Sequence, residues 1–171
     1  PDNFFEHVGN KVTVKSEEEV TSTLSSFSKL KVLGDPGSTN AFALLRCIEA
    51  GATIVEDKDP VALTKAQKNP VELQGMRDCH VRDGSAITRF LAWLEKEVVA
   101  GQLHNEGFLA DKLLGFRNNL NEFHDLSFDT ISAAGPNSAI CHYNHLNGTP
   151  AQLSAGSLYL VDSGGQFSDG T

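Results

Sequence analysis

The chain has 171 residues, 40% of them hydrophobic and 21% charged, which is enough to bury a core and leaves room for one or two domains. Its formal net charge is -8 and its 14 Lys and Arg are scattered, so it has no basic stripe of the kind that nucleic-acid phosphates require. No apolar run suggests a membrane span, and the opening Pro-Asp-Asn-Phe-Phe-Glu is not a signal peptide.

Cys47, Cys79 and Cys141 are odd in number and far apart. They form neither a disulfide framework nor a zinc-type Cys-x-x-Cys spacing, which places the protein by expectation in a reducing compartment, the cytoplasm. The sequence opens at Pro1 and its one methionine is Met76, so the natural N-terminus is expected further upstream.

Taken in chain order, Val12 to Val14 is a β-branched run, and Ser16 with Glu19 has the spacing of a capping box that opens a helix. Lys31-Val-Leu-Gly-Asp35 repeats the pattern, with Ser38 as candidate cap of a helix through Ala50, Gly51 as its stop and Ala52-Thr-Ile-Val55 as the next strand. This β-α-β-α-β alternation predicts an α/β sheet with parallel neighbours. Asp57-Lys-Asp-Pro60 and Lys68-Asn-Pro70 bracket a polar connector, and a domain boundary is placed there, giving domains 1–67 and 68–171.

After the boundary comes one long helix. Asn69 can cap it, Pro70 suits its first position and Glu72 can reach back to the cap. Leu73, Met76, Ile87, Phe90, Leu94 and Val98 recur at helical spacing up to Gly101. A second helix is predicted from Glu106 to Leu120, with Leu109, Leu113, Phe116 and Leu120 on one face. The period then changes to strands at Ser127 to Ser132, Ser138 to Tyr143 and Ser157 to Phe167, with a turn at Gly135-Pro-Asn137. A helix pair followed by an antiparallel sheet reads as α+β.

The chemistry is concentrated in the last strand. Alternation places Leu158, Leu160 and Asp162 on one face, so a carboxylate is expected in line with two residues that favour burial. A buried charge there needs a cation, a hydrogen-bond cluster or a proton. Asp169-Gly170 is a hairpin signal, so the chain should turn and run back beside this strand. If the residue facing Asp162 is also acidic, a metal between the two relieves their repulsion, and hard oxygen ligands favour manganese or magnesium.

Several segments resemble a known family. Leu160-Val-Asp-Ser-Gly-Gly-Gln-Phe-Ser-Asp-Gly-Thr171 is similar to the first metal-binding hairpin of the long, three-domain Xaa-Pro aminopeptidases of the creatinase/aminopeptidase superfamily, peptidase family M24. Gly135-Pro-Asn-Ser-Ala-Ile-Cys-His-Tyr143 resembles the strand that precedes it. Lys68-Asn-Pro-Val-Glu-Leu-Gln-Gly-Met-Arg77 looks like the opening of the catalytic domain and Phe90-Leu-Ala-Trp-Leu-Glu95 like its first helix.

The resemblance implies the first half of a pita-bread catalytic domain over 68–171, preceded over 1–67 by the tail of an α/β creatinase N-terminal-like domain. It implies that Asp162 is a metal ligand, that His142 binds near the substrate and assists proton transfer or oxyanion stabilisation, and that Phe128 is an aromatic wall of the substrate pocket. Two divalent ions, manganese by expectation, would be shared with a second Asp, a His and two Glu lying outside this chain, so these residues alone are expected to be inactive. The implied substrates are peptides with proline at the second position, and the full-length protein is expected to be a homodimer.

Each assignment has a plainer competitor. A lone strand Asp is ordinarily a hydrogen-bond acceptor, a strand-end His ordinarily structural, and Phe128 is equally a core aromatic. His7, His80, His104, His124 and His145 show no ligand spacing, and Asp169 is best read as a turn residue. Two alternatives share the fold: a prolidase or creatinase, against which the Asp-Ser-Gly hairpin speaks, and a non-catalytic peptide-binding module, against which Asp162 and His142 speak.

Overall fold

A computed structural model describes residues 3–9 and 11–171. The chain divides into two compact units, Pro1–Gln67 and Lys68–Thr171, each described by itself.

The first unit opens with α1 (Phe4–Val8). The strand expected at Val12 to Val14 does not form; these residues are exposed and irregular, because β-branched propensity stabilises a strand only where a neighbour pairs with it. The capping box does form. The Ser16 amide donates to Glu19 Oε2 at 3.0 Å, opening a 3-10 turn at Glu17–Glu19 that runs into α2 (Val20–Ser25).

Strands β1 (Lys31–Gly34) and β2 (Thr53–Glu56) pair in parallel, Lys31 with Thr53 through Gly34 with Glu56, and α3 (Ala41–Glu49) forms the crossover. The cap of α3 is Asn40 rather than Ser38: Asn40 Oδ1 accepts from the Phe42 amide at 2.9 Å. A Cβ on Gly34 would lie 2.7 Å from the Leu44 side chain, so glycine is what lets α3 approach the strand. The segment expected as a connector contains α4 (Pro60–Ala66), capped by Asp59, which accepts from the Val61 amide at 2.8 Å. Asp59-Pro60 is the same cap-and-proline signal as Asn69-Pro70, masked by the polar residues around it.

The second unit is built on α5 (Pro70–Val99). Asn69 Oδ1 accepts from the Glu72 amide at 2.9 Å and Glu72 Oε2 accepts from the Asn69 amide at 2.8 Å, closing the box that the sequence predicts. Asn69→Ala is therefore expected to cost about 1 kcal/mol, read as a lower urea midpoint at unchanged slope; an unchanged midpoint would mean the cap contributes nothing. Gly101, at φ 76, stops the helix region in a left-handed conformation that favours glycine.

Cys79, Ala86, Phe90 and Leu94 form the buried stripe of α5. Phe90 and Leu94 pack with Leu109 and Leu113 of α6 (Glu106–Arg117), with Ala134 and with Leu153, in a cluster flanked by Trp93, Phe116, Tyr159 and Val161. Leu73, expected on the packed face, is exposed.

The strands form two antiparallel ladders, β3 (Phe123–Leu126) with β6 (Gly165–Phe167) and β4 (Ile131–Ala134) with β5 (Tyr159–Asp162). Three expected strands are corrected. Ser127 to Ser132 is not one strand: β3 ends at Leu126, residues 127–130 are the link, and β4 begins at Ile131, because Ser127 is tied to Gly164 O where the chain changes ladders. Ser157 to Phe167 is broken at Ser163-Gly164 and its halves belong to different ladders. A Cβ on Gly164 would lie 2.6 Å from Ser127 Oγ, and the Ser127 amide donates to Gly164 O at 3.0 Å, so the chain crosses between ladders where it has no side chain. Ser138 to Tyr143 is not a strand either: Gly135–Ala139 is a 3-10 helix followed by a turn, since Pro136 fixes φ and removes a ladder donor. The helix pair and antiparallel ladders make this unit α+β, as predicted.

Candidate metal and substrate site

Strand β5 carries Asp162, in register with Ile131 at the start of β4. Tyr159 and Val161 are the residues of β5 that pack on the core. Leu158 and Leu160 are 90% and 39% exposed and Asp162 is exposed with them. The expectation that Asp162 shares a buried face is therefore corrected: the alternation is right, but the other set faces inward, because the aromatic Tyr159 fills the core and its hydroxyl meets Ser132 Oγ at 2.8 Å. No burial penalty calls for a cation here. What this chain offers is an accessible carboxylate at a strand end.

Phe128 lies on the link between β3 and β4 and is 45% exposed. Its ring would be 3.2 Å from a Cβ on Gly164, two residues beyond Asp162. His142 is exposed, in the turn after the 3-10 helix, at φ 54. The Tyr143 amide closes that turn on Ile140 O at 3.2 Å, and Asn144 Nδ2 donates to Asp129 Oδ2, beside Phe128, at 3.2 Å. The fold thus brings Asp162 and Phe128 to one end of the β4–β5 ladder and ties the His142 segment to the same end through Asp129. Among the described residues no group of three or more His, Cys, Asp and Glu could hold a metal.

Three anchoring clusters around these residues escape the sequence reading. Arg117 of α6 is fully buried and grips Asp83 of α5 with two bonds, Nε to Oδ1 at 2.7 Å and Nη2 to Oδ2 at 3.0 Å, while Nη2 also donates to Ser163 Oγ at 3.2 Å. Ser163 directly follows Asp162. Arg82, the neighbour of Asp83, pairs with Asp169 and lies over the Phe167 ring, 5.4 Å from its centroid. The turn that the Asp-Gly signal predicts is present, with the Phe167 amide donating to Gly170 O at 2.8 Å, but neither Asp169 nor Gly170 takes a positive φ. Asp169 is therefore held by its ion pair as well as by turn propensity. At the turn, a Cβ on Gly75 would collide with Asp169 O, and one on Gly170 would lie 2.6 Å from Cys79 Sγ. Burial, reinforced by the Asp169 charge, pushes the Cys79 thiol above its ordinary pKa.

The third cluster centres on Glu106, at the start of α6 and fully buried. Its carboxylate accepts from the Ala134 amide at 2.7 Å, the Ala151 amide at 2.8 Å, Tyr143 Oη at 2.7 Å and Asn137 Nδ2 at 3.1 Å. Burial pushes its pKa up, but the hydrogen bonds from Tyr143, Ala134, Ala151 and Asn137 outweigh burial and hold it below the usual value. In sequence Glu106 reads as an ordinary acidic residue in a first helical turn, so nothing there betrays its burial.

The model of Metallopeptidase family M24 matches residues 74–171, more than half of the chain. The chain belongs to this family. Residues 1–72 match the Creatinase/Prolidase N-terminal domain. Among curated M24 relatives, "Probable Xaa-Pro aminopeptidase P" of Pyrenophora tritici-repentis is 37% identical over 100% of this chain and 31% of its own length. The protein of the same name from Coccidioides posadasii is 41% identical over 97% of this chain and 29% of its own. Among solved structures, X-prolyl aminopeptidase from Caenorhabditis elegans, described as a cytosolic enzyme with a di-nuclear active site, superposes with a TM-score of 0.80 at 34% identity, covering 92% of this chain and 27% of that one. The chain thus spans about three tenths of the length of the relatives it matches. The resemblance drawn from the hairpin and the Gly-Pro-Asn segment is borne out by all three comparisons. No helix among the described residues is long and apolar enough to cross a membrane.

Proposed function

We propose that this M24 chain is part of a dinuclear metal-dependent aminopeptidase that hydrolyses the N-terminal Xaa-Pro peptide bond. The observation that carries the reading is the Asp162-Ser-Gly segment, anchored through Ser163 to the Arg117–Asp83 pair of α6 and α5 and lying beside Phe128, in a chain 37–41% identical to proteins named Xaa-Pro aminopeptidase P. Residues 1–67 are the end of the creatinase-type N-terminal domain and 68–171 the first half of the pita-bread domain. The protein acts in the cytoplasm as a homodimer.

Asp162 fits the role of one ligand: an accessible carboxylate is a hard oxygen donor suited to manganese or magnesium. The remaining ligands, a second Asp, a His and two Glu, are assigned to sequence outside this chain. When bound, two such ions polarise both a water and the scissile carbonyl. Phe128 offers an apolar wall for the proline ring. His142, exposed in its turn, is assigned to the substrate side, to hydrogen-bond the developing oxyanion or the leaving amine.

The test uses a full-length enzyme carrying this segment. His142→Ala is expected to retain its metals and to lose on the order of 10²–10³-fold in kcat, measured by elemental analysis and initial rates on Xaa-Pro-Xaa tripeptides. Loss of metal, or normal turnover, removes His142 from this role. Cleavage confined to Xaa-Pro dipeptides would replace the aminopeptidase reading with a prolidase.

A further inference from the structure

The turn that presents His142 is held by a buried carboxylate to which no role is yet attached. Four donors converge on Glu106, and two of them bracket the histidine: Asn137, five residues before it, and Tyr143, directly after it. Asn137 Nδ2 also donates to Tyr143 Oη at 3.0 Å, closing a triangle of hydrogen bonds. The Ala134 and Ala151 amides, on either side of the whole segment, bind the same carboxylate.

His142 itself sits at φ 54, the left-handed region that a non-glycine residue rarely occupies. Such a conformation persists only where the surroundings over-determine it, and it concentrates at functional sites. Within this turn, the anchor adjacent to His142 in sequence is the Tyr143 phenol on Glu106. We propose that Glu106 is a positioning residue for His142, acting through the hydroxyl of Tyr143 to hold the histidine turn in its left-handed conformation. The hydrogen bond to Glu106, with a smaller contribution from burial, pushes the Tyr143 hydroxyl up to about 12, so the phenol stays a donor across the physiological range.

The proposal rests on the role given to His142 above, and the experiment separates the two. In the full-length metal-loaded enzyme, Tyr143→Phe removes one hydroxyl and is expected to lower kcat by roughly 10- to 100-fold, the scale of a misplaced catalytic group, with KM and metal content unchanged. Glu106→Gln, which puts an amide donor in place of one carboxylate oxygen and so against either the Ala134 amide or the Ala151 amide and Tyr143 hydroxyl, should act in the same direction. In a His142→Ala background, Tyr143→Phe should have no further effect on kcat, because nothing remains for it to position. If the two losses multiply, or if Tyr143→Phe lowers only the folded fraction while kcat per folded molecule is unchanged, Glu106 is a structural anchor and the proposal is wrong. If His142→Ala alone turns over normally, the function given to His142 fails first and takes this role with it. Should Glu106→Gln not fold, the Tyr143→Phe cycle decides by itself.

Discussion

Asp162→Asn, made in a full-length enzyme carrying this segment, is expected to remove metal from the site and with it nearly all peptidase activity. An amide has about the same shape as a carboxylate but lacks the charge that a hard divalent ion selects. Asp162 is exposed at the end of β5 and its neighbours Val161 and Ser163 supply the packing and the anchor, so the exchange should leave the thermal midpoint of metal-free protein unchanged. Metal content by elemental analysis, turnover on a Xaa-Pro-Xaa tripeptide and the metal-free midpoint are measured on one sample. Full metal occupancy with lost activity would make Asp162 a substrate-side group; full occupancy with full activity would leave it a surface residue.

The largest stability effect is expected at Asp83. Removing one partner of a buried ion pair leaves the other charge without compensation and costs about 3–5 kcal/mol. The Arg117 side chain is 0% exposed and Asp83 22%, so Asp83→Ala belongs near the lower end of that range, about 3 kcal/mol. Arg117 Nη1 already has no hydrogen-bond partner among the described residues, which leaves the guanidinium little to fall back on. Adding Arg117→Met to Asp83→Ala should recover part of the loss, because an apolar side chain of similar size needs no partner there. Urea unfolding of the single and double variants provides the measurement. Additive losses, or a single-variant change below about 0.5 kcal/mol, would mean that the pair does not hold the second unit together.

The elements that the sequence reveals are those whose determinants are local. The Asn69-Pro70-Glu72 start of α5, the Ser16–Glu19 box and the turn before Gly170 depend on residues within four positions of one another. The family resemblance rests on contiguous words such as Leu160-Val-Asp-Ser-Gly, so it too is legible. The errors occur where tertiary contacts decide. Either set of alternate residues in β5 could face inward, and Tyr159 prevails because it packs against the buried core cluster while its hydroxyl finds Ser132. The clamp behind Asp162 joins Asp83, Arg117 and Ser163, 34 and 46 residues apart, and Glu106 gathers donors up to 45 residues away. Such assemblies leave no periodic trace, and the residues in them look like surface charges until the chain is folded.

The meeting of α5 with the turn at Ser168 and Asp169 has a consequence for how this region can change. A ladder of three or four residues per strand is marginal alone, so β6 owes its rigidity to the helix beneath it. The two segments meet at Gly75 against the Asp169 backbone and at Gly170 against the Cys79 sulfur and the Met76 backbone, with no space for even a methyl group. Gln166 and Ser168 are exposed, and the Ser168 hydroxyl is hydrogen-bonded to His124 at 2.6 Å. Tolerance to substitution is therefore sharply uneven along six consecutive residues: Gly165, Phe167, Asp169 and Gly170 are fixed by what lies under them and Ser168 is tied to His124 by its hydroxyl, while position 166 is open. A combinatorial library meant to retune the neighbourhood of Asp162 would keep its viable members by varying position 166 and leaving Gly75 untouched.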